Sequence, residues 1–300
     1  MYYRDRENLC EKLFLEGGPY FLVTTENLPW LLFSNDEDFK AGTNITAVAL
    51  AFKNVTLLND VQMNNHLHYV MEGKYENVLA FTDHLRKLMS RYQIKRGNLT
   101  LVKWNIQIKE ITDLQNLRNA ILYSERNPYV AGRDVSPYGY RWSSASLLFN
   151  DNIALLSPGI PFDSLTFREK REITMSRELM LPDSYRVLDG MILRQSFVNY
   201  KRAESFFESA RQHFRMLSRY VESDAETAKW IGETILLPNE DVFRIVSGWY
   251  NVKTVSLLNP EQRLSAARRM KAELMSNNKQ IAQVLKLPLE QVNLFFPVPQ

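Results

Sequence analysis

The sequence predicts an α+β protein: a small sheet with helices on one face over residues 1–150, followed by an all-helical remainder. Three observations carry this. Strand-like and amphipathic runs alternate through the first half in the order strand, helix, strand, strand, helix, strand, helix. Pro158, Gly159 and Pro161 then cluster as loop formers. Beyond them apolar residues recur mostly at helical spacing, interrupted only around residues 182–190. A chain of 300 residues accommodates two or three domains. The expected division is a sheet domain over 1–150, a helical connecting region over 151–224 and a helical module over 225–300.

After a short polar start, residues 19–25 (PYFLVTT) are aromatic and β-branched, as a strand requires. Residues 36–51 read as a helix with an acidic start, against the preferences of Gly42, Thr43, Ile45 and Thr46. Residues 54–58 open a hairpin, and 61–72 (VQMNNHLHYVME) read as a strand. Residues 75–96 form a helix with Val78, Leu79, Leu85, Leu88 and Met89 on its apolar face, stopped by Gly97 and Asn98. A strand over 99–108 and a helix over 112–126, ended by Asn127-Pro128, complete the pattern.

Composition narrows the class. The apolar fraction of 45% and charged fraction of 24% are those of a globular protein with a core. A net charge of +3 is too small to indicate a polyanionic partner by itself, so the placement of charge matters more. Cys10 is the single cysteine, which leaves no internal disulfide and suits a cytoplasmic location. The charged N-terminus has no signal-peptide core, and no run approaches the roughly 18–20 apolar residues of a membrane span, so no membrane partner is expected.

Two of the four histidines, His66 and His68, stand one residue apart. On a strand, residues i and i+2 share a face, so two imidazoles would stand side by side while Leu67 turns away. That is a usual way to hold a divalent metal; a pair of surface or core histidines is the plainer alternative. His84 and His213 fall in helical stretches and read as structural. Tyr123 and Asn127 are four residues apart and share a helical face. A phenol, with an ordinary pKa of about 10, can attack a phosphodiester as an oxygen nucleophile beside a metal. The alternative for Tyr123 is a ring packed on the sheet.

Three stretches together resemble the REP-associated tyrosine transposases, single-tyrosine members of the HUH nucleases: Asn64-Asn65-His66-Leu67-His68-Tyr69-Val70, then Tyr123-Ser-Glu-Arg-Asn127-Pro128-Tyr129-Val130-Ala131-Gly132, then Tyr138-Gly-Tyr140-Arg-Trp142-Ser143-Ser144. The resemblance spans residues 15–150. It implies a ferredoxin-like antiparallel sheet presenting His66 and His68, and a helix presenting Tyr123 as nucleophile towards single-stranded DNA. It places Asn127 as a third ligand of Mg²⁺ or Mn²⁺, with water completing the shell. The product it implies is a 5′-phosphotyrosine with a free 3′-hydroxyl, so the strand can be rejoined without ATP. Met63 is followed by Asn64 where the family often has proline, and residues 99–108 replace its glycine-aromatic segment.

DNA gives the cations a partner. Arg86, Lys87, Arg91, Lys95 and Arg96 crowd the second half of one helix, and Arg126, Arg133 and Arg141 flank the tyrosine motif. Tyr129, Tyr138, Tyr140 and Trp142 would stack on unpaired bases or pack the domain. At the C-terminus, residues 278–296 follow a helix-turn-helix pattern, with Pro288 opening the second helix and Lys286 at the turn in a left-handed conformation. Residues 241–271 are similar to the DNA-binding domain of the bacterial chromosomal replication initiator. This similarity implies duplex contacts by Arg263, Arg268, Arg269 and Lys271, with Gln291 and Asn293 towards base edges.

The function expected is a metal-dependent strand transferase that cuts and rejoins single-stranded DNA at hairpin-bearing elements, in a nucleoid-associated bacterial protein. A homodimer is compatible with it. The alternatives are a DNA-binding regulator of the same fold without turnover, and a histidine-pair phosphodiesterase that hydrolyses without covalent attachment.

Overall fold

The computed structural model describes residues 3–25, 31–97, 105–130, 136–153, 158–176, 179–218, 239–274, 276 and 278–296. It divides into two compact units, Met1–Pro128 with Val135–Tyr220, and Tyr129–Asp134 with Val221–Gln300.

The first unit is built on four antiparallel strands, β1 (Tyr20–Thr25), β2 (Val55–Gln62), β3 (Leu67–Gly73) and β4 (Ile106–Ile111), in the order β2-β3-β1-β4. Helices α2 (Asp36–Leu50) and α3 (Tyr75–Lys95) connect β1 to β2 and β3 to β4. This βαββαβ order, with β1 and β3 central, is the ferredoxin-like pattern. Helix α4 (Leu114–Val130) follows β4, and α1 (Tyr3–Leu15) precedes β1 where only a polar start was expected.

Helices cover both faces of the sheet, a correction to the single covered face. Alternation along β3 is the reason. Tyr69 meets Phe81 of α3 edge-on at 5.4 Å and shares a 2.9 Å hydrogen bond with Thr46 of α2. His68, one residue earlier, turns to the other face and meets Tyr123 of α4. Both rows of β3 are buried, so each needs its own cover. Tyr20, on the same face as His68, stacks on Phe14 of α1 at 4.8 Å. The carboxylate of Glu7 in α1 accepts two hydrogen bonds of 2.7 Å from Arg118 in α4.

Helix α2 forms in spite of Gly42 because that residue is needed for close approach: a Cβ there would fall 2.5 Å from the Phe33 ring. The hydroxyls of Thr43 and Thr46 are satisfied by donating 3.0 Å hydrogen bonds to the carbonyls of Phe39 and Gly42. The Asn35 side chain caps the N-terminus by accepting from the Asp38 N–H at 3.0 Å.

Other boundaries differ from the expected ones. Residues 61–72 are a hairpin, not one strand: Gln62 closes β2, Met63 N donates to His66 O at 2.9 Å across the turn, and β3 begins at Leu67. Of the strand expected over 99–108, residues 99–104 lie outside the described residues, and β4 runs on to Ile111. Helix α4 continues through Pro128, which sits in the last turn where a missing N–H costs one hydrogen bond.

Residues 136–218 share the core of this unit: Phe162, Tyr185, Val187 and Phe197 cluster with Phe21, Tyr69 and Phe81. They also cover the outer edge of β2, where Ser144 N donates to Asp60 O and Gln62 N to Trp142 O, both at 2.9 Å. The expected helical run contains α5 (Phe167–Thr174), α6 (Tyr200–Glu204) and α7 (Ala210–Leu217). It also contains a small sheet of β5 (Ile160–Pro161), β6 (Arg186–Leu188) and β7 (Met191–Ile192). Asp189 and Gly190, at φ of 49° and 75°, form the two-residue turn between β6 and β7.

The described part of the second unit is helical: α8 (Asn239–Trp249), α9 (Pro260–Glu273), α10 (Asn278–Leu285) and α11 (Leu289–Phe295). Ala266, Ala267, Met270, Ile281, Leu285 and Val292 form its core. Lys286 has φ of 55° between α10 and α11. Among the described residues no helix is long and apolar enough to cross a membrane.

Candidate active site

The end of the sheet where β3 starts brings together four of the residues singled out in the sequence. His66 closes the hairpin turn, His68 is the second residue of β3, and Tyr123 and Asn127 lie one turn apart on α4. The imidazoles meet edge to face with ring centres 4.8 Å apart. His68 meets the Tyr123 ring at 5.6 Å, also edge-on, and His66 Nε2 lies 3.1 Å from Asn127 Oδ1. His68 is fully buried and Tyr123 is 3% exposed.

Burial pushes the pKa of His68 down to about 3, because an imidazolium there would lose its hydration. The ring is therefore neutral at physiological pH, as a ligand must be. The unfolded chain binds a proton near the ordinary value of 6.5 and the folded one only near 3. The His68 contribution is thus intact above pH 6.5 and is lost as pH falls towards 3, at about 1.4 kcal/mol per pH unit. In chelator-treated protein, lowering the pH from 7 to 5 is expected to destabilise the wild type by about 2 kcal/mol more than His68→Gln. Urea titrations at the two pH values measure this, and equal losses in both proteins would refute it.

Two contacts of His66 bear on whether a divalent cation fits here. Asn65 Oδ1 lies 2.9 Å from His66 Nδ1, and Asn127 Oδ1 lies 3.1 Å from Nε2. Neutral imidazole has one N–H, so it cannot donate to both oxygens. An imidazolium, a turned amide or a cation between Nε2 and Asn127 Oδ1 reconciles the two contacts. Ligands about 2.1 Å from one metal and at right angles to each other stand about 3 Å apart, which fits the 3.1 Å separation. Two imidazoles and an amide thus suit a cation that keeps waters. Among the described residues no three or more His, Cys, Asp or Glu side chains form a cluster that could hold a metal ion.

Beside this site lies a buried polar chain that sequence reasoning missed. Glu125 and His213 are both fully buried. Glu125 accepts from Asn59 Nδ2 at 3.4 Å and lies 3.0 Å from His213 Nε2, while His213 Nδ1 lies 2.9 Å from the Tyr138 hydroxyl. Burial, and then the Glu125 charge, hold the Tyr138 phenol far above its ordinary pKa. The sequence carried no local signal for it: Ser124, Glu125 and Arg126 read as an ordinary polar helix stretch, although all three are buried. A second buried pair, Asp60 and Arg194 at 2.9 Å, ties β2 to Thr43 of α2, whose hydroxyl accepts from Arg194 at 3.0 Å.

The expected DNA contacts fare unequally. Arg126 is buried and donates to the carbonyls of Met216 and Leu217 at 3.2 and 3.3 Å, so it fastens α4 to α7 instead of meeting a strand end. Arg141 pairs with Asp36 at 3.0 Å and lies over Trp142. Arg133 lies outside the described residues. On α3, Arg86 pairs with Asp83 and Arg96 with Asp38, while Lys87, Arg91 and Lys95 are exposed. Tyr140 and Trp142 are buried; Tyr140 donates to Gln62 O at 2.7 Å and Trp142 stacks on Phe39 at 4.8 Å, so both are packing groups.

In the second unit Arg268 and Gln291 are exposed. Arg269 is held by Glu273 at 2.8 Å and lies over Trp249. Lys271 donates to Asn278 at 3.0 Å, Asn293 accepts from Asn278 at 2.9 Å, and Arg263 donates to the carbonyls of Leu258 and Ser256.

No family model matches the sequence, and no curated protein matches it. Among solved structures, that of a REP-associated tyrosine transposase bound to a REP hairpin matches 46% of this chain and 81% of its own, at 15% identity and a TM-score of 0.35. The likeness is a distant structural one.

Proposed function

We propose that this chain is a single-tyrosine DNA strand transferase of the HUH kind, acting on single-stranded DNA at hairpin-bearing elements. The observation that carries the reading is the convergence of Tyr123 with His66, His68 and Asn127 at one end of the sheet. In the proposed step the Tyr123 phenol oxygen attacks phosphorus and the bond to the 3′-oxygen breaks. The phenol proton is released, the 3′-hydroxyl leaves, and a 5′-phosphotyrosine remains. Attack by a 3′-hydroxyl reverses the step and rejoins the strand.

His66, His68 and Asn127 would hold a divalent metal, Mg²⁺ or Mn²⁺, which when bound supplies Lewis-acid stabilisation of the charge developing on the phosphate. Two imidazole donors favour Mn²⁺ of the two. Asn65 orients the His66 ring through Nδ1, which directs the Nε2 lone pair at the site. Packing of Tyr123 on neutral His68 holds the phenol beside that position. The second unit would add duplex binding through a helix-turn-helix made of α10 and α11, with Gln291 as its exposed contact and Arg268 exposed on the preceding α9.

One observation favours a second reading. Tyr123 is only 3% exposed, and a phenol that stays shielded meets no phosphate. A DNA-binding regulator of this fold without turnover would keep the same packing. Incubation with a labelled hairpin oligonucleotide and Mn²⁺, followed by a denaturing gel, separates the two. A covalent adduct absent in Tyr123→Phe is the expected result. DNA binding without adduct across varied hairpins would favour the regulator, and cleavage unaffected by Tyr123→Phe would favour plain hydrolysis.

A further inference from the structure

On the face of the sheet that carries α2 and α3, α3 and α5 line an open cleft of about 960 Å³. Arg91 and Lys95 enter it from α3, one helical turn apart, and Arg168 and Arg171 enter it from α5. Four cations thus converge from segments some seventy residues apart in sequence. Arg168 is paired with Glu172 at 3.0 Å. Among the described residues no ion pair neutralises Arg91, Lys95 or Arg171. With Glu172 also in its wall, the cleft keeps an excess of positive charge, which suits an anion.

Two aromatic rings belong to the same cleft. Phe167 is 66% exposed at the start of α5, with the Arg171 guanidinium 5.9 Å from its ring centre. Tyr92 lines the wall between Arg91 and Lys95, its hydroxyl anchored on Asp38 at 2.6 Å. An exposed phenylalanine beside unneutralised cations adds nothing for a free phosphate. It matches a ligand that carries a flat apolar group on a phosphate chain. A double helix is read by elements that project into its grooves, and a recess between two helices offers none. An unpaired strand can turn its bases into such a recess.

We propose that this cleft is a second binding site, for an unpaired polynucleotide strand, with phosphates on Arg91, Lys95, Arg168 and Arg171 and a base stacked on Phe167. The choice of a nucleic-acid strand rests on the DNA-processing reading above. The site lies across the sheet from Tyr123, so the segment it holds is remote from the phosphate that reacts.

The test uses the full chain carrying Tyr123→Phe, so that the probe is not consumed, and fluorescence anisotropy of a labelled twelve-nucleotide oligothymidylate. Adding Arg91→Gln, Lys95→Gln and Arg171→Gln together is expected to weaken binding at least about tenfold. It should also reduce the slope of log affinity against log salt by about 2, at roughly 0.7 per lost phosphate contact. Phe167→Ala, which leaves the charge intact, should weaken the thymidylate about fivefold or more and leave an abasic strand of equal length unaffected. Unchanged affinity and slope in the triple variant would overturn the proposal. So would an equal loss on a duplex of the same length, or a silent Phe167→Ala with polyglutamate displacing the strand, which describes a general anion surface. Loss of these effects with the Tyr123 adduct still forming removes only the cleft; a missing adduct with cleft binding intact removes only the strand transferase.

Discussion

His66→Ala is expected to reduce strand cleavage by roughly a thousandfold or more, the equivalent of about 4 kcal/mol of lost transition-state stabilisation, while changing DNA affinity less than about threefold. The asymmetry follows from where each effect resides. His66 stands beside His68 and Asn127 at the start of β3, with its Nε2 3.1 Å from Asn127 Oδ1. On the proposed reading, removing it takes away one of three metal ligands, which the other two cannot replace. Affinity for DNA is instead spread over exposed cations such as Lys87, Arg91 and Arg268, each a small share of a salt-dependent total. Gel cleavage assays and anisotropy on one hairpin substrate compare the two quantities. Isothermal titration with Mn²⁺ adds a readout independent of turnover: the wild type should bind and His66→Ala should not. Parallel loss of cleavage and DNA binding would mean that the imidazole merely supports the fold.

Arg194→Met should cost about 3–5 kcal/mol of folding stability. Asp60 and Arg194 are both buried, and their 2.9 Å pair leaves each the other's main compensation for lost water. The guanidinium also donates to Thr43 Oγ1 at 3.0 Å. Without it the Asp60 carboxylate is buried beside β3 with its principal cation gone. Replacing Asp60 by Asn in the same protein removes the stranded charge, so the double variant should recover more than half of the loss. Urea denaturation of the single and double variants measures this. A single-variant cost below about 1 kcal/mol would show that water reaches the pair.

Local sequence signals read well where one element decides the outcome. The acid-rich start of α2, the stop of α3 at Gly97 with φ of 87° and the left-handed Lys286 all follow from capping and steric rules acting within a few residues. The side-by-side histidines also follow from local geometry, although His66 stands in the turn and not within the strand. The Asp189-Gly190 turn was equally local, and the short strands beside it are explained by its two positive φ values. Helix α1 was harder to read because its apolar face is thin: Cys10 is buried, while Leu9 and Leu15 are exposed.

The sequence alone determined the succession of strands and helices from β1 to α4, and the side chains for which phosphodiester chemistry is proposed; it did not show α1 or the β5–β7 sheet. The folded chain decided what faces what. It put α4 across the sheet from α3, sealed Arg126 against carbonyls of α7, and buried Glu125 against His213 from 88 residues away. It also packed residues 136–218 into the core of the sheet unit. Periodicity encodes which side of an element is apolar, whereas the identity of the surface that covers it depends on contacts between distant segments that no local spacing records.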